Sequence, residues 1–302
     1  NRGNSPKNRT GASSMSTATE VVKAKDLSMA LDEISTEDDS MYISGGATVV
    51  ALLNANLVNP AKLVSLKNVN ELRGIKKTPN GRVQIGSMTH HSQTAASTIL
   101  CGSLSGVREA ASKIANPVVR NMGTIGGSIA FADPGADYPP ALVAADAEVE
   151  ITSKKGDRLI KAEEFFVDWY ETALNPGELI KNIYLPKVDK NACGVHEKFA
   201  RVEGDYATAS INLILKMERN VCSSIRVAVG ACGPTPVRIP DAENSLVGEK
   251  LTEDNLLKLG EQLADACDPV DDVRGSASYR LKLIPNLLLR AVQRAQQYLL
   301  KT

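Results

Sequence analysis

The sequence carries no surplus of charge. Its 35 Lys and Arg balance 35 Asp and Glu over 302 residues, which excludes a global basic field for nucleic acid or an anionic membrane. No apolar run reaches the roughly 20 residues of a membrane-spanning helix. The five cysteines (Cys101, Cys193, Cys222, Cys232 and Cys267) include no C-x-x-C pair, and their separations are too wide and irregular for a zinc or iron–sulfur framework. Their odd number predicts reduced, mostly buried thiols in a cytoplasmic protein. A fixed-period repeat is missing, as are the Walker lysine, the G-x-G-x-x-G fingerprint and the G-x-S-x-G nucleophile elbow. Adjacent His90 and His91 point their rings apart in helix or strand, and the third histidine is the distant His196, so no metal site is expected. The polar start, Asn1 to Thr19, holds no apolar segment of a secretory signal. Residues 1–19 are expected to be a tail outside the fold.

What is present, 43% hydrophobic and 23% charged residues, is ordinary for a globular chain with room for two or three modules. Leu27 to Ile34 spaces its apolar residues as a short helix, Met41–Ile43 reads as a strand, Thr48 to Leu57 as a helix and Leu63–Leu66 as a second strand. Strand, glycine turn, helix and strand make a βαβ unit with the glycines at the carboxyl end of a parallel strand. From about residue 73 the pattern turns to hairpins: one around Pro79-Asn80-Gly81, another around Lys155-Gly156. Helices are expected near 90–98, 103–115 and 138–145, and an extended segment over Leu179–Leu185. The polar stretch 187–193 suggests a boundary, followed by three antiparallel strands (198–200, 208–217 and 224–229) and helices at 240–247, 252–266 and 276–300. The expected division is therefore 20–72, 73–187 and 188–302, in an α+β chain.

Two segments concentrate the chemistry. Tyr42-Ile-Ser-Gly-Gly-Ala-Thr48 sets two glycines between strand and helix. There the backbone can approach a ligand closely and the helix offers unpaired N–H groups, an arrangement suited to phosphate. A plain tight turn would select the same glycines. The second segment, Arg120-Asn-Met-Gly-Thr-Ile-Gly-Gly-Ser128, is followed by Asp137. Its glycines and hydroxyls predict a loop of exposed N–H groups for a pyrophosphate, with a purely structural omega-type loop as the alternative. Asp137 is a candidate acceptor for the hydroxyls of a polyol chain. Arg120 would pair with phosphate or, in preference, anchor its own loop to a carboxylate. Two such loops without a Rossmann or Walker pattern point to a dinucleotide held outside a Rossmann fold. Trp169 and Phe165-Phe166 read as core or subunit interface.

These segments resemble the FAD-binding medium subunits of the molybdenum hydroxylases, the xanthine dehydrogenase and carbon monoxide dehydrogenase type. Val119-Arg-Asn-Met-Gly-Thr-Ile-Gly-Gly-Ser-Ile129 carries the resemblance most specifically, supported by Glu197-Lys-Phe-Ala-Arg-Val-Glu-Gly-Asp-Tyr-Ala207 and Asp272-Val-Arg-Gly-Ser-Ala-Ser-Tyr-Arg280. The similarity spans about residues 26–300. It implies a two-subdomain FAD-binding fold of the vanillyl-alcohol oxidase (PCMH) type, with a C-terminal three-stranded antiparallel sheet and a helical bundle.

It also implies roles. Ser44, Gly45, Gly46, Ala47, Thr48 and Val49 would wrap one side of the FAD diphosphate, and Thr124, Ile125, Gly126, Gly127 and Ser128 the other. Asp137 would lie near the ribityl chain or flavin ring, Ile180 against the isoalloxazine, and Lys198 close enough for its charge to favour the anionic reduced flavin. Ala47 stands where some relatives place a covalently bonding His, so FAD is expected to be non-covalent. Ser128 replaces a frequent Asn or Asp, Val202 an Arg, and His196 a Tyr. The cysteine-rich insert that carries an extra iron–sulfur cluster in one branch is missing, so no cluster is expected. In this reading a large subunit holds the molybdenum cofactor and a small subunit the [2Fe–2S] clusters. FAD on the present chain would pass electrons to NAD, a quinone or oxygen. A stand-alone flavin oxidase or reductase, or a flavin-free assembly subunit, is the alternative.

Overall fold

In the computed structural model, residues 19–34 and 39–301 are described; the expected tail lies outside that range except for Thr19. Asp26 starts the first helix, its carboxylate accepting the Met29 N–H at 2.8 Å, which satisfies one of the donors that a helix start leaves open. This helix, α1 (Leu27–Glu33), links strands β1 (Glu20–Lys23) and β2 (Ser40–Ile43). β2 leads into α2 (Ala47–Asn54) and then β3 (Lys62–Ser65). β2 and β3 pair in parallel, as their pattern predicts. β1 adds, also in parallel, to the other edge of β3, giving the order β1-β3-β2. Four residues among polar neighbours give β1 no readable pattern.

The next strands, β4 (Ile75–Lys77) and β5 (Val83–Gly86), form the hairpin that Pro79-Asn80-Gly81 predicts. Helices α3 (His91–Ala95), α4 (Ser105–Ser112), α5 (Pro117–Met122), α6 (Ile125–Phe131) and α7 (Tyr138–Ala144) follow. The chain then returns as β6 (Glu148–Ser153) and β7 (Gly156–Lys161), passes through the short α8 (Ala162–Phe165) and the ribbon β8 (Phe166–Asp168) and β9 (Glu171–Thr172), and closes with β10 (Leu179–Leu185). These make a five-stranded antiparallel sheet in the order β4-β5-β10-β6-β7. Its core contains Ile85, Ile129, Tyr138, Leu142, Phe165 and Ile183, all fully or almost fully buried. Burial of that apolar surface is the main force holding helices to sheet.

One expectation needs correcting. The glycine-rich stretch 120–128 is not an open loop but two short helices, α5 and α6, meeting at Gly123 and Thr124. Glycine disfavours helix, yet Gly126 permits α6 to lie against the chain at Ser87, where an added Cβ would come within 2.5 Å of the Ser87 Cβ.

The C-terminal part holds β11 (Ala192–Phe199), β12 (Ala209–Glu218) and β13 (Val221–Gly230) in one antiparallel sheet. β11 begins inside the polar stretch expected to be a boundary, paired with β12 from Ala192 onward. Helices α9 (Pro240–Asn244), α10 (Glu253–Asp265) and α11 (Ala277–Leu299) follow. Leu256, Leu259, Ile284, Leu288 and Val292 bury one face of α10 and α11 against the sheet's Leu213 and Leu215.

Candidate functional site

The carboxyl end of β2 and the N-termini of α2 and α6 line one cavity of about 480 Å³. Its first wall is Ser44 to Val49. Gly46 adopts a left-handed conformation, φ 78°, which turns the strand into α2 and strains any residue with a Cβ. No side chain caps α2, so the N–H groups of Ala47, Thr48 and Val49 are left open at the positive end of the helix.

The second wall is built differently. Thr124 caps α6, its hydroxyl accepting the Gly127 N–H at 3.1 Å. The Ile125 N–H goes to the Thr89 carbonyl at 3.0 Å and the Gly126 N–H to the Ser87 carbonyl at 2.8 Å, while the Ser128 N–H bonds the Thr124 carbonyl at 3.0 Å. The expectation of exposed backbone donors here is therefore corrected: the protein already uses them. Gly126, Gly127, Ser128 and Thr124 line the cavity, whereas Ile125 is buried in the hydrophobic core. Thr48 and Ser128 line the cavity too, and their hydroxyls have no partner among the described residues.

The two walls touch. Thr124 donates to the Ser44 hydroxyl at 3.1 Å. A Cβ on Gly45 would run into the Met122 carbonyl, and one on Gly127 would come within 2.5 Å of Ser44 Oγ. Here glycine is needed for loop to meet loop, not only for a ligand to approach.

Asp137 and Ile180 lie on the same cavity. Ile180 is buried beside a register shift in β10. Asp137 is 5% exposed; its carboxylate accepts from His196 Nε2 and Lys198 Nζ, each at 2.9 Å. Burial pushes its pKa up, but the His196 bond and the Lys198 charge outweigh that and hold it below the usual carboxylate range. Lys198 is not part of the cavity lining. Its other two donors reach the carbonyls of Lys113 and Asp205, both at 2.9 Å, so its charge acts on the cavity through Asp137.

Other lining residues carry no sequence signal. His91 is packed by long-range contacts, with Nδ1 3.2 Å from the Tyr138 hydroxyl. Burial, then the neighbouring His90, lowers its pKa to about 4, which makes it neutral at ordinary pH. The buried Ser87 hydroxyl has no partner among the described residues. Glu178, also on the lining, is bound by Arg158 at 2.6 and 2.8 Å, and that pair lowers its pKa to about 2. Arg120 is an anchor as preferred, although to the carbonyls of Ile114 and Ala115, at 2.8 and 2.7 Å, and not to a carboxylate. Phe165 and Phe166 pack edge to face in the core, while Trp169 is 41% exposed. Among the described residues no helix is long and apolar enough to cross a membrane.

An elongated dinucleotide fits this donor set: open N–H groups on one wall, hydroxyls on both, glycines where the walls close, and a fixed carboxylate beyond them. Residues 15–188 match the family described as FAD binding domain in molybdopterin dehydrogenase, and residues 195–295 the CO dehydrogenase flavoprotein C-terminal domain. The chain is 35% identical over 259 residues to the alpha subunit of the 6-hydroxypseudooxynicotine dehydrogenase complex of Paenarthrobacter nicotinovorans, covering 85% of this chain and 87% of that one. It is 32% identical over 270 residues to the glyceraldehyde dehydrogenase medium chain of Sulfolobus acidocaldarius, covering 89% and 95%. The fold superposes on a chain of reconstituted CO dehydrogenase from Oligotropha carboxidovorans with a TM-score of 0.89 and 32% identity, covering 93% of this chain and 98% of that one. With this cavity, these two matched segments and this fold, the chain belongs to the FAD-binding flavoprotein subunits of the molybdenum hydroxylase family.

Proposed function

We propose that this chain is the electron-relaying subunit of a multi-subunit molybdenum hydroxylase and holds FAD without a covalent bond. The observation that carries this reading is the single cavity joining the open first turn of α2 to the closed wall at α6. The N–H groups of Ala47, Thr48 and Val49 would bind one side of the diphosphate, and the Thr48 and Ser128 hydroxyls would complete its shell. The Thr124–Ser128 wall would support the other side. Asp137 would accept from the ribityl chain or the ring, with Ile180 packed against the isoalloxazine. Lys198 tempers the charge of Asp137. FAD, when bound, supplies a carrier that takes electrons singly and releases them in pairs. The chain's part is to position it, exclude water from one face and set the local field.

In this reading electrons arrive from [2Fe–2S] clusters on a small subunit, after substrate oxidation at a molybdenum cofactor on a large subunit, and leave to NAD, a quinone or oxygen. The three-part division at 20–72, 73–187 and 188–302 and a cytoplasmic setting belong to the same proposal. Support for non-covalent binding comes from Ala47, which lines the cavity without a nucleophile. The test is the absorption spectrum of the purified chain before and after acid precipitation. Bands at roughly 370 and 450 nm, released into the supernatant as intact FAD, are expected. A colourless chain that cannot be reconstituted with FAD would overturn the proposal, and colour retained in the pellet would overturn the non-covalent part.

A further inference from the structure

Every polar atom of His196 is tied down. Its ring receives the Asn212 amide at Nδ1, 3.3 Å away, which leaves the ring proton on Nε2, directed at Asp137 over 2.9 Å. Its backbone N–H donates to Glu109 at 3.0 Å. Its carbonyl accepts from Lys113 at 2.7 Å and from Arg294 at 3.1 Å. Arg294 in turn binds Glu197 and Glu109, at 2.8 and 3.0 Å. The residue is fully buried, at the place where β11, α4, α11 and the start of α7 converge. Two partners on the imidazole and three on its backbone fix the ring and the strand that carries it together.

Resting on the reading that the cavity takes FAD, we infer that His196 is a positioning residue. It fixes the orientation and the ionised state of Asp137, so that the carboxylate is a ready acceptor for the cofactor. With one oxygen held by His196 and the other by Lys198, Asp137 has a single orientation, and only its remaining lone pairs can serve the ligand. The groups around it are His196 and Lys198 from β11, Lys113 just after the end of α4, His91 from α3, Tyr138 beside it on α7, and Tyr206 across the cavity. Among the described residues, His196 and Lys198 alone donate to it directly. Removing the His196 bond takes away the hydrogen-bond support that opposes the burial penalty, and the Asp137 carboxyl then takes up a proton more readily as pH falls.

Two substitutions separate this role from a merely structural one. In His196→Gln the amide nitrogen falls near the position of Nε2 and keeps the donor to Asp137. In His196→Asn it falls near Nδ1, keeps a polar partner for Asn212, and is too short for Asp137. The dissociation constant of FAD from the full chain is measured at about pH 8 and about pH 5.5, alone and in an Asp137→Asn background. We expect the wild type and His196→Gln to agree within about threefold. His196→Asn should bind about tenfold more weakly at the higher pH, with a further loss at the lower one. In the Asp137→Asn background the His196→Asn effect should shrink below about twofold.

Wild-type affinity in His196→Asn, or an equal loss with and without Asp137, would overturn the inference. A wild-type chain that binds no FAD at any pH would instead overturn the reading beneath it. The ring 15N spectrum of the wild type is independent of whether variants fold: a proton on His196 Nε2 supports the assignment, and one on Nδ1 overturns it.

Discussion

The two glycine walls look alike as sequence and differ as structure. The first ends a strand and leaves the start of α2 open, without a capping side chain. The second is a capped helix whose first backbone donors are already bonded to Thr89, Ser87 and Thr124. The first can therefore bind an anion with its backbone at no loss of existing bonds, while the second can act as a rigid support that offers the Ser128 hydroxyl. Glycine means something different in each. Gly46 supplies a left-handed turn, whereas Gly45 and Gly126 allow one piece of chain to lie against another's backbone and Gly127 leaves room for the Ser44 side chain.

The sharpest way to break that comparison is to part the walls. Gly45→Val would push a side chain into the Met122 carbonyl, so both cavity and local fold should suffer. We expect purified chain without flavin and a melting temperature lowered by several degrees, for a destabilisation of about 3 kcal/mol. Retained flavin with an unchanged transition in calorimetry would show that the walls need not meet. Gly127→Val comes next. Its branched side chain would collide with Ser44 Oγ and, on the proposed reading, occupy the entry of the diphosphate, lowering FAD affinity by at least about a hundredfold. Unchanged flavin content after gel filtration would sink that assignment.

Asp137→Ala should raise the dissociation constant of FAD about ten- to a hundredfold, as loss of a charged acceptor does. If its melting temperature falls equally with and without saturating FAD, the residue is structural only. The sign of its pH effect follows from its depressed pKa in the folded chain. The stabilisation is complete above the ordinary aspartate range of roughly 4 and is lost as pH falls through the lower folded value. Ser128→Ala should have the smallest effect, about threefold in affinity, because one neutral hydroxyl is removed from an otherwise intact wall. Isothermal titration checks it, and a tenfold loss would mean that the second wall binds far more directly than its satisfied backbone suggests.

Periodicity made much of this fold legible. The β2–α2–β3 unit and both hairpins carry local signals, and local signals are what a sequence displays. β1 and the β8–β9 ribbon are too short to show a pattern, and β1 gains its place only by pairing with β3. At the cavity the glycine segments were legible because backbone approach restricts residue choice so strongly. Ser87, His91 and Tyr206 were not, since long-range packing brings them in. Lys198 shows a third case: its charge was visible, but that it would be turned onto Asp137 and two carbonyls was not. The three glycines at 123–127 misled for a related reason, because propensity favours a loop where tertiary contacts impose a helix.

The contact between Gly45 and Met122 also bears on biosynthesis. The wall of the cavity begins at Met41 and is completed only by residues as far along as Tyr206, and Asp137 is not held in place until β11 has paired. A ribosome-bound chain that has emerged only through α2 has the open helix start but nothing opposite it. On the proposed reading, cofactor loading is expected to wait until residues out to Tyr206 have been made, and a product ending before β11 is expected not to retain flavin.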